Sequence, residues 1–176
     1  ERIVLALGRM GIGDDFATVA ASGSYVSDAM NPNPDSLGYN IAAFLSNPDA
    51  ALGAWFIVRP VETFYLAGGV YNADPDSTRI SRFASNIDFK FDEGVLLIAE
   101  AGFTPDGNEA SGNAYKLGVY YDSGKFDHLS KDEKEKSGNY GFYAAAQQMV
   151  YREPGSDDDG LTLWATATLA PDEDIN

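Results

Sequence analysis

The stretch from Tyr115 to Asp122 limits what this chain can fold into. It reads Tyr-Lys-Leu-Gly-Val-Tyr-Tyr-Asp, with Tyr115, Leu117, Val119 and Tyr121 on one parity and Lys116, Gly118, Tyr120 and Asp122 on the other. A strand projects successive side chains to opposite faces, so this is a β-strand with one apolar face, closed at both ends by tyrosine, and one polar face. A soluble protein covers such an apolar face with a core. An outer-membrane strand offers it to lipid, with aromatic rings at the two interfaces and a wet lumen behind.

The design recurs. Val95, Leu97, Ala99, Ala101 and Phe103 oppose Leu96, Ile98, Glu100 and Gly102; Leu161, Leu163, Ala165, Ala167 and Leu169 oppose Thr162, Trp164, Thr166 and Thr168. In order, the predicted strands are Arg2 to Met10, Leu52 to Arg59, Phe64 to Tyr71, Val95 to Phe103, Tyr115 to Asp122, Tyr140 to Arg152 and Leu161 to Leu169. The reading is all-β, an antiparallel meander of about seven strands in one domain over residues 1–176. A short helix is expected near Asn40 to Leu45, and local pairing at Ile87 to Phe91.

Connections alternate in length. Gly11 to Ala51, Asn72 to Glu93 and Ser123 to Asn139 are long, whereas those around Val61, Gly107 and Ser156 are short. Long loops at one end of a meander and short turns at the other match an outer-membrane barrel. Each strand is near the roughly 9–11 residues that a tilted membrane strand needs. Charge is kept mostly in connections; the strand-interior cases, Glu100 and Lys116, fall on the polar faces. A β-sandwich also alternates and also keeps charge in loops. The small side chains of Ala99, Ala101, Ala165 and Ala167 on the apolar faces tilt the reading to the barrel, since a dry core would call for bulkier ones.

Composition excludes other classes. The chain has 12 Lys+Arg against 27 Asp+Glu, a formal net charge of -15, which suits no nucleic-acid backbone. Without cysteine there is no disulfide framework and no thiolate metal site. His128 is the single histidine and lies in a charged loop, which leaves neither a zinc site nor a histidine-based triad. Asp74-Pro75-Asp76-Ser77-Thr78 resembles the start of a calcium loop but lacks the glycine and the closing glutamate. Asp157-Asp158-Asp159 reads as a solvated acidic turn, with surface calcium as the alternative. Glu100 has no obvious second carboxylate for glycosidase chemistry. No catalytic residue, metal or cofactor is expected.

Several ordered motifs carry a resemblance. They are Gly8-Arg9-Met10 with Gly13-Asp14-Asp15-Phe16-Ala17, Gly53-Ala54-Trp55-Phe56-Ile57-Val58-Arg59-Pro60, and Gly69-Val70-Tyr71-Asn72-Ala73-Asp74-Pro75. Further along come Tyr115-Lys116-Leu117-Gly118 with Tyr121 to Phe126, Gly138 to Tyr143, Gln148 to Glu153, and Ala170-Pro171. Together, nearly end to end, the chain resembles the carbohydrate-selective porins of the OprB type. The resemblance implies a transmembrane barrel of about 16 strands in a Gram-negative outer membrane. It would pass sugars by passive diffusion, with this chain as an internal segment of a longer one. Carbohydrate solutes and outer-membrane lipid are the implied partners; monomer and trimer both stay open.

A sugar pore needs aromatic faces for pyranose rings and charged or amide groups for hydroxyls. Parity assigns Trp55, Arg59, Glu100, Lys116, Tyr120, Trp164 and Thr166 to the lumen. Interface-belt anchoring is the competing role for Trp55 and Trp164. Arg9 has the wrong parity unless Gly8 carries a bulge, and it is included on that condition. Gln147 and Gln148 fall on opposite faces, so the sixth strand is ambiguous. Two further functions stand beside the porin: a soluble or surface β-sandwich that binds carbohydrate, and a β-rich glycoside hydrolase.

Overall fold

Every alternating stretch forms a strand. The computed structural model describes residues 2–24, 35–41, 44, 50–73, 94–107, 112–129, 135–155 and 159–175. The strands are β1 (Ile3–Met10), β2 (Ala51–Val61), β3 (Phe64–Asn72), β4 (Val95–Phe103), β5 (Asn113–Asp127), β6 (Glu135–Arg152) and β7 (Gly160–Leu169). They make one seven-stranded sheet in sequence order, each strand antiparallel to its neighbours. The single sheet removes the two-sheet sandwich. The expected pairing at Ile87 to Phe91 and the Asp74 to Thr78 stretch lie outside the described residues, as do Asp157 and Asp158.

Irregularities have local causes. The register between β2 and β3 shifts between Val58 and Val61, where Pro60 has no N–H to give to the ladder. Between β5 and β6 it shifts from Asp122 to Lys125. There Asp122 Oδ1 accepts from the Gly124 amide inside the bulge, while Ser123 Oγ accepts from the Val95 amide at the start of β4 on the other side of β5. Both strands then continue: β5 and β6 pair as far as Asp127 and Glu135, so much of the charged connection expected at 123–139 is hairpin.

The two faces are unlike. One exposes Ile3, Leu5, Leu7, Phe56, Leu66, Val70, Leu97, Leu117, Val119, Phe142, Leu163 and Leu169. We call it the outer face. At its short-turn rim Phe64, Phe103 and Tyr115 are neighbours across β3, β4 and β5, and the last two stack at 6.3 Å. At the other rim Tyr121 faces Tyr140, whose ring meets Phe142 edge-on at 6.3 Å.

The buried cluster lies on the inner face. It joins Tyr65, Ala67, Tyr71, Leu96, Ile98, Tyr120 and Tyr143 of the sheet to Ile12, Phe16, Ala17, Leu37, Ile41 and Phe44. Those last six belong to the connection after β1, which holds α1 (Ile12–Asp15), a 3-10 turn (Ala20–Ser24) and α2 (Asp35–Asn40). The helix therefore falls just before the stretch expected from sequence. The described part of this long connection folds back over the inner face, because side chains such as Ile12, Phe16 and Leu37 are removed from water only there.

Candidate functional site

Close packing on the inner face starts from glycine. Gly102 lies under the ring of Tyr65, Gly118 under Tyr143 and Gly141 under Tyr120, so an added Cβ would collide with each ring. Tyr71 covers Gly53 and Gly69 in the same way. Tyr65, Tyr120 and Tyr143 each lean across a neighbouring strand, which places the hydroxyl one strand away from its own backbone.

Two of these hydroxyls converge on Glu100. Tyr65 donates to Oε1 at 2.6 Å and Tyr143 to Oε2 at 2.8 Å. The Ala17 amide donates to Oε2 at 2.9 Å. Glu100 is 3% exposed, and a buried carboxylate is tolerated only with such partners. Ala17 holds a φ of +57°, in the left-handed region that non-glycine residues rarely adopt. A second contact lies two strands further on, where Gln147 Oε1 accepts from the Ala21 amide at 2.8 Å. Nearer the long-loop end Asn139 Nδ2 donates to the Asn40 carbonyl at 2.8 Å, and Tyr120 shares a side-chain hydrogen bond with Asn40.

Trp55 is half-buried, packs against the core and donates its indole N–H to Asp15. Burial, and then the neighbouring Asp14, push the Asp15 carboxyl above its usual range; the indole bond offsets part of this. Arg59 lies 5.9 Å over the ring of Tyr65. It borders a cavity of about 790 Å³ near the short turns, together with Arg2, Glu62, Thr104 and Asp106. On β7, Trp164 stands opposite Gln147 and Thr166 opposite Ala145, both half-buried on the inner face.

The residues singled out from sequence thus divide. Trp55, Arg59, Trp164 and Thr166 are half-buried on the inner face. Glu100, Lys116 and Tyr120 share that face but are buried. Lys116 pairs with Gly102, diagonal to Glu100, which itself faces Gly118. Arg9 is a correction. Pairing runs without a shift through Gly8↔Gly53 and Arg9↔Leu52, so no bulge turns it inward. Arg9 stays exposed on the outer parity, opposite in sense to Met10, and its guanidinium donates to the Ala50 carbonyl at 3.0 Å.

Sequence reasoning passes over Tyr65 and Tyr143 and leaves Gln147 undecided. For the tyrosines a signal existed, since each stands across from an inner-face glycine. For Gln147 the structure resolves the ambiguity: it is buried inward and Gln148 is exposed outward. Among the described residues no group of three or more metal-ligating side chains is brought together.

Comparisons agree with this fold. The family model of the carbohydrate-selective porins, OprB family, matches residues 1–174. The solved structure of Pseudomonas putida OprB at high pH superposes with a TM-score of 0.78 at 21% identity, over 99% of this chain. The chain spans 43% of that protein's length. No curated protein matches by sequence.

Proposed function

We infer that this chain, which belongs to the carbohydrate-selective porin family of the OprB type, forms part of an outer-membrane barrel that passes sugars by diffusion. One observation carries the reading. The same strands bare aliphatic side chains on one face and carry Arg59, Glu100, Lys116, Gln147 and two tryptophans on the other. A continuous exposed apolar face with aromatic rims suits lipid, and charge at membrane depth is tolerated facing water or a partner. Residues 1–176 then act as one partial barrel domain, seven strands of a wall of about 16, in a Gram-negative outer membrane.

Transport of this kind makes and breaks no covalent bond, so the protein works as a channel and not as an enzyme. Contact with sugar falls to the half-buried inner-face groups. Trp55 and Trp164 offer flat indole faces, while Arg59 and Thr166 offer hydrogen bonds to hydroxyls. Glu100, Lys116 and Tyr120 lie beneath that surface and shape it. The net charge of -15 disfavours anions near the mouth.

The test is reconstitution of the complete parent protein in a planar bilayer. Sugar added to one side should reduce single-channel conductance, and Trp164→Ala or Trp55→Ala should weaken that block. A parent that forms channels indifferent to sugar would leave a general porin. One that forms no channels would sink the reading.

A further inference from the structure

The segment after β1 does more than fill space on the inner face. Its amides reach two wall acceptors: Ala17 N–H to Glu100 on β4, and Ala21 N–H to Gln147 on β6. Strands two apart are separated by about 10 Å, a distance that four residues of chain can cover. The 3-10 turn then lies against β7. The segment therefore crosses β4, β5, β6 and β7 instead of following any one of them.

Glu100 is built for this contact. Tyr65 and Tyr143, one from each side, hold its carboxylate in place; Tyr65 occupies Oε1, and Oε2 accepts from both Tyr143 and the Ala17 amide. At the contact Ala17 adopts the left-handed conformation, an outlier that persists only where surroundings impose it. Both wall groups bind backbone N–H, so these two contacts follow the path of the chain, while Ile12 and Phe16 add buried apolar contact beside them.

We propose that Glu100 and Gln147 are positioning residues that set the bore of the channel by pinning residues 12–24 across its wall. The proposal rests on the porin reading above. A segment held flat leaves the passage at one width; released at Glu100, it moves and changes both conductance and the size of sugar admitted. Neither residue needs to touch solute, since both are buried.

The experiment uses the complete parent protein in bilayers and in sugar-loaded liposomes. Glu100→Ala removes the acceptor shared by three donors. It should change single-channel conductance by about twofold and shift the sugar-size cutoff in swelling assays, while the folded band on unheated gels is retained. Gln147→Leu, which leaves the Glu100 cluster intact, should produce a smaller shift in the same direction. Ala17→Gly keeps the N–H and relaxes its backbone, so it should leave the bore unchanged. Folded Glu100→Ala with wild-type conductance and cutoff would overturn the proposal. If that variant loses its folded band, a folded Gln147→Leu with wild-type cutoff overturns it equally. Failure of the wild-type parent to conduct removes the porin reading itself, a separate outcome.

Discussion

Leu117 and Lys116 are chain neighbours with opposite fates. The leucine is 68% exposed and the lysine 6%. A soluble protein would reverse that assignment. The contrast runs through the sheet: Leu163 is 57% exposed on β7, while Trp164 beside it is half-buried. Among the described residues the outer face stays uncovered, and between its aromatic rims its side chains are mostly aliphatic. The inner face is the opposite, a hydrogen-bonded layer of tyrosine, glutamate and amide under an inserted segment. One face is selected for its solvent, the other for specific geometry. The two should therefore respond to different kinds of substitution.

The largest effect is expected from charge on the outer face. Leu117→Arg puts a guanidinium between the two aromatic rims and should cost about 2–4 kcal/mol of folding free energy into bilayers. Thr166→Arg, on the inner face of β7, should cost less than about 1 kcal/mol, because a water-filled lumen solvates the charge. Urea titration of the parent in lipid vesicles measures both. Equal penalties would erase the distinction between the faces.

Volume should act the other way round. Gly118→Val drives a branched side chain into the ring of Tyr143, which also holds Glu100. The expected destabilisation is about 1–3 kcal/mol. Ala165→Val adds two carbons at an exposed outer position and should stay within about 0.5 kcal/mol. A comparable loss at Ala165 would mean that the outer face is packed after all.

This asymmetry also explains what could be read from sequence. Val95–Phe103 was legible to the residue, because both its faces keep their character from end to end. The start of β6 was not. Glu135 to Asn139 pairs with Asp122 to Asp127, but there polar side chains occupy both parities and alternation carries no hydrophobic signal. Parity placed Glu100 inward, yet could not supply its partners: Ala17 is 83 residues away and donates through backbone, which no side-chain pattern records. The inserted segment reads mostly as an irregular connection because, although Ile12 and Phe16, and then Leu37, Ile41 and Phe44, recur at helical spacing, the breakers at Asn31 to Asp35 and Asn47 to Asp49 cut that pattern into pieces of one or two turns. Arg9 shows the converse. The plain alternation argued against a lumen position, and the regular ladder follows it.

The smallest effects are electrostatic, and the rim and the inner segment should differ in sign. At the long-loop end Lys136 Nζ bridges Asp172 at 2.7 Å and Asp174 at 3.4 Å, while the Leu129 amide donates to the Asp174 carbonyl at 2.9 Å. The bond from Lys136 holds the Asp172 carboxyl below its usual range. A depressed carboxyl contributes stability above its unfolded value near 3.8, and that contribution is lost as pH falls through the folded value. Asp15 is raised, chiefly by burial, so its contribution to docking is present below the undocked value and lost as pH rises through the docked one. Acid should therefore loosen the clip at Leu129 and tighten the segment Ile12 to Ser24. Amide exchange of the parent, scaled at each pH by the intrinsic rate, reads the two regions separately. Asp172→Asn should abolish the acid loosening at Leu129 and leave residues 12–24 unchanged. Asp15→Asn should raise protection of residues 12–24 at neutral pH and remove its dependence on acid. If both regions shift in the same direction on acidification, global stability is being measured and the opposition between rim and inner segment fails.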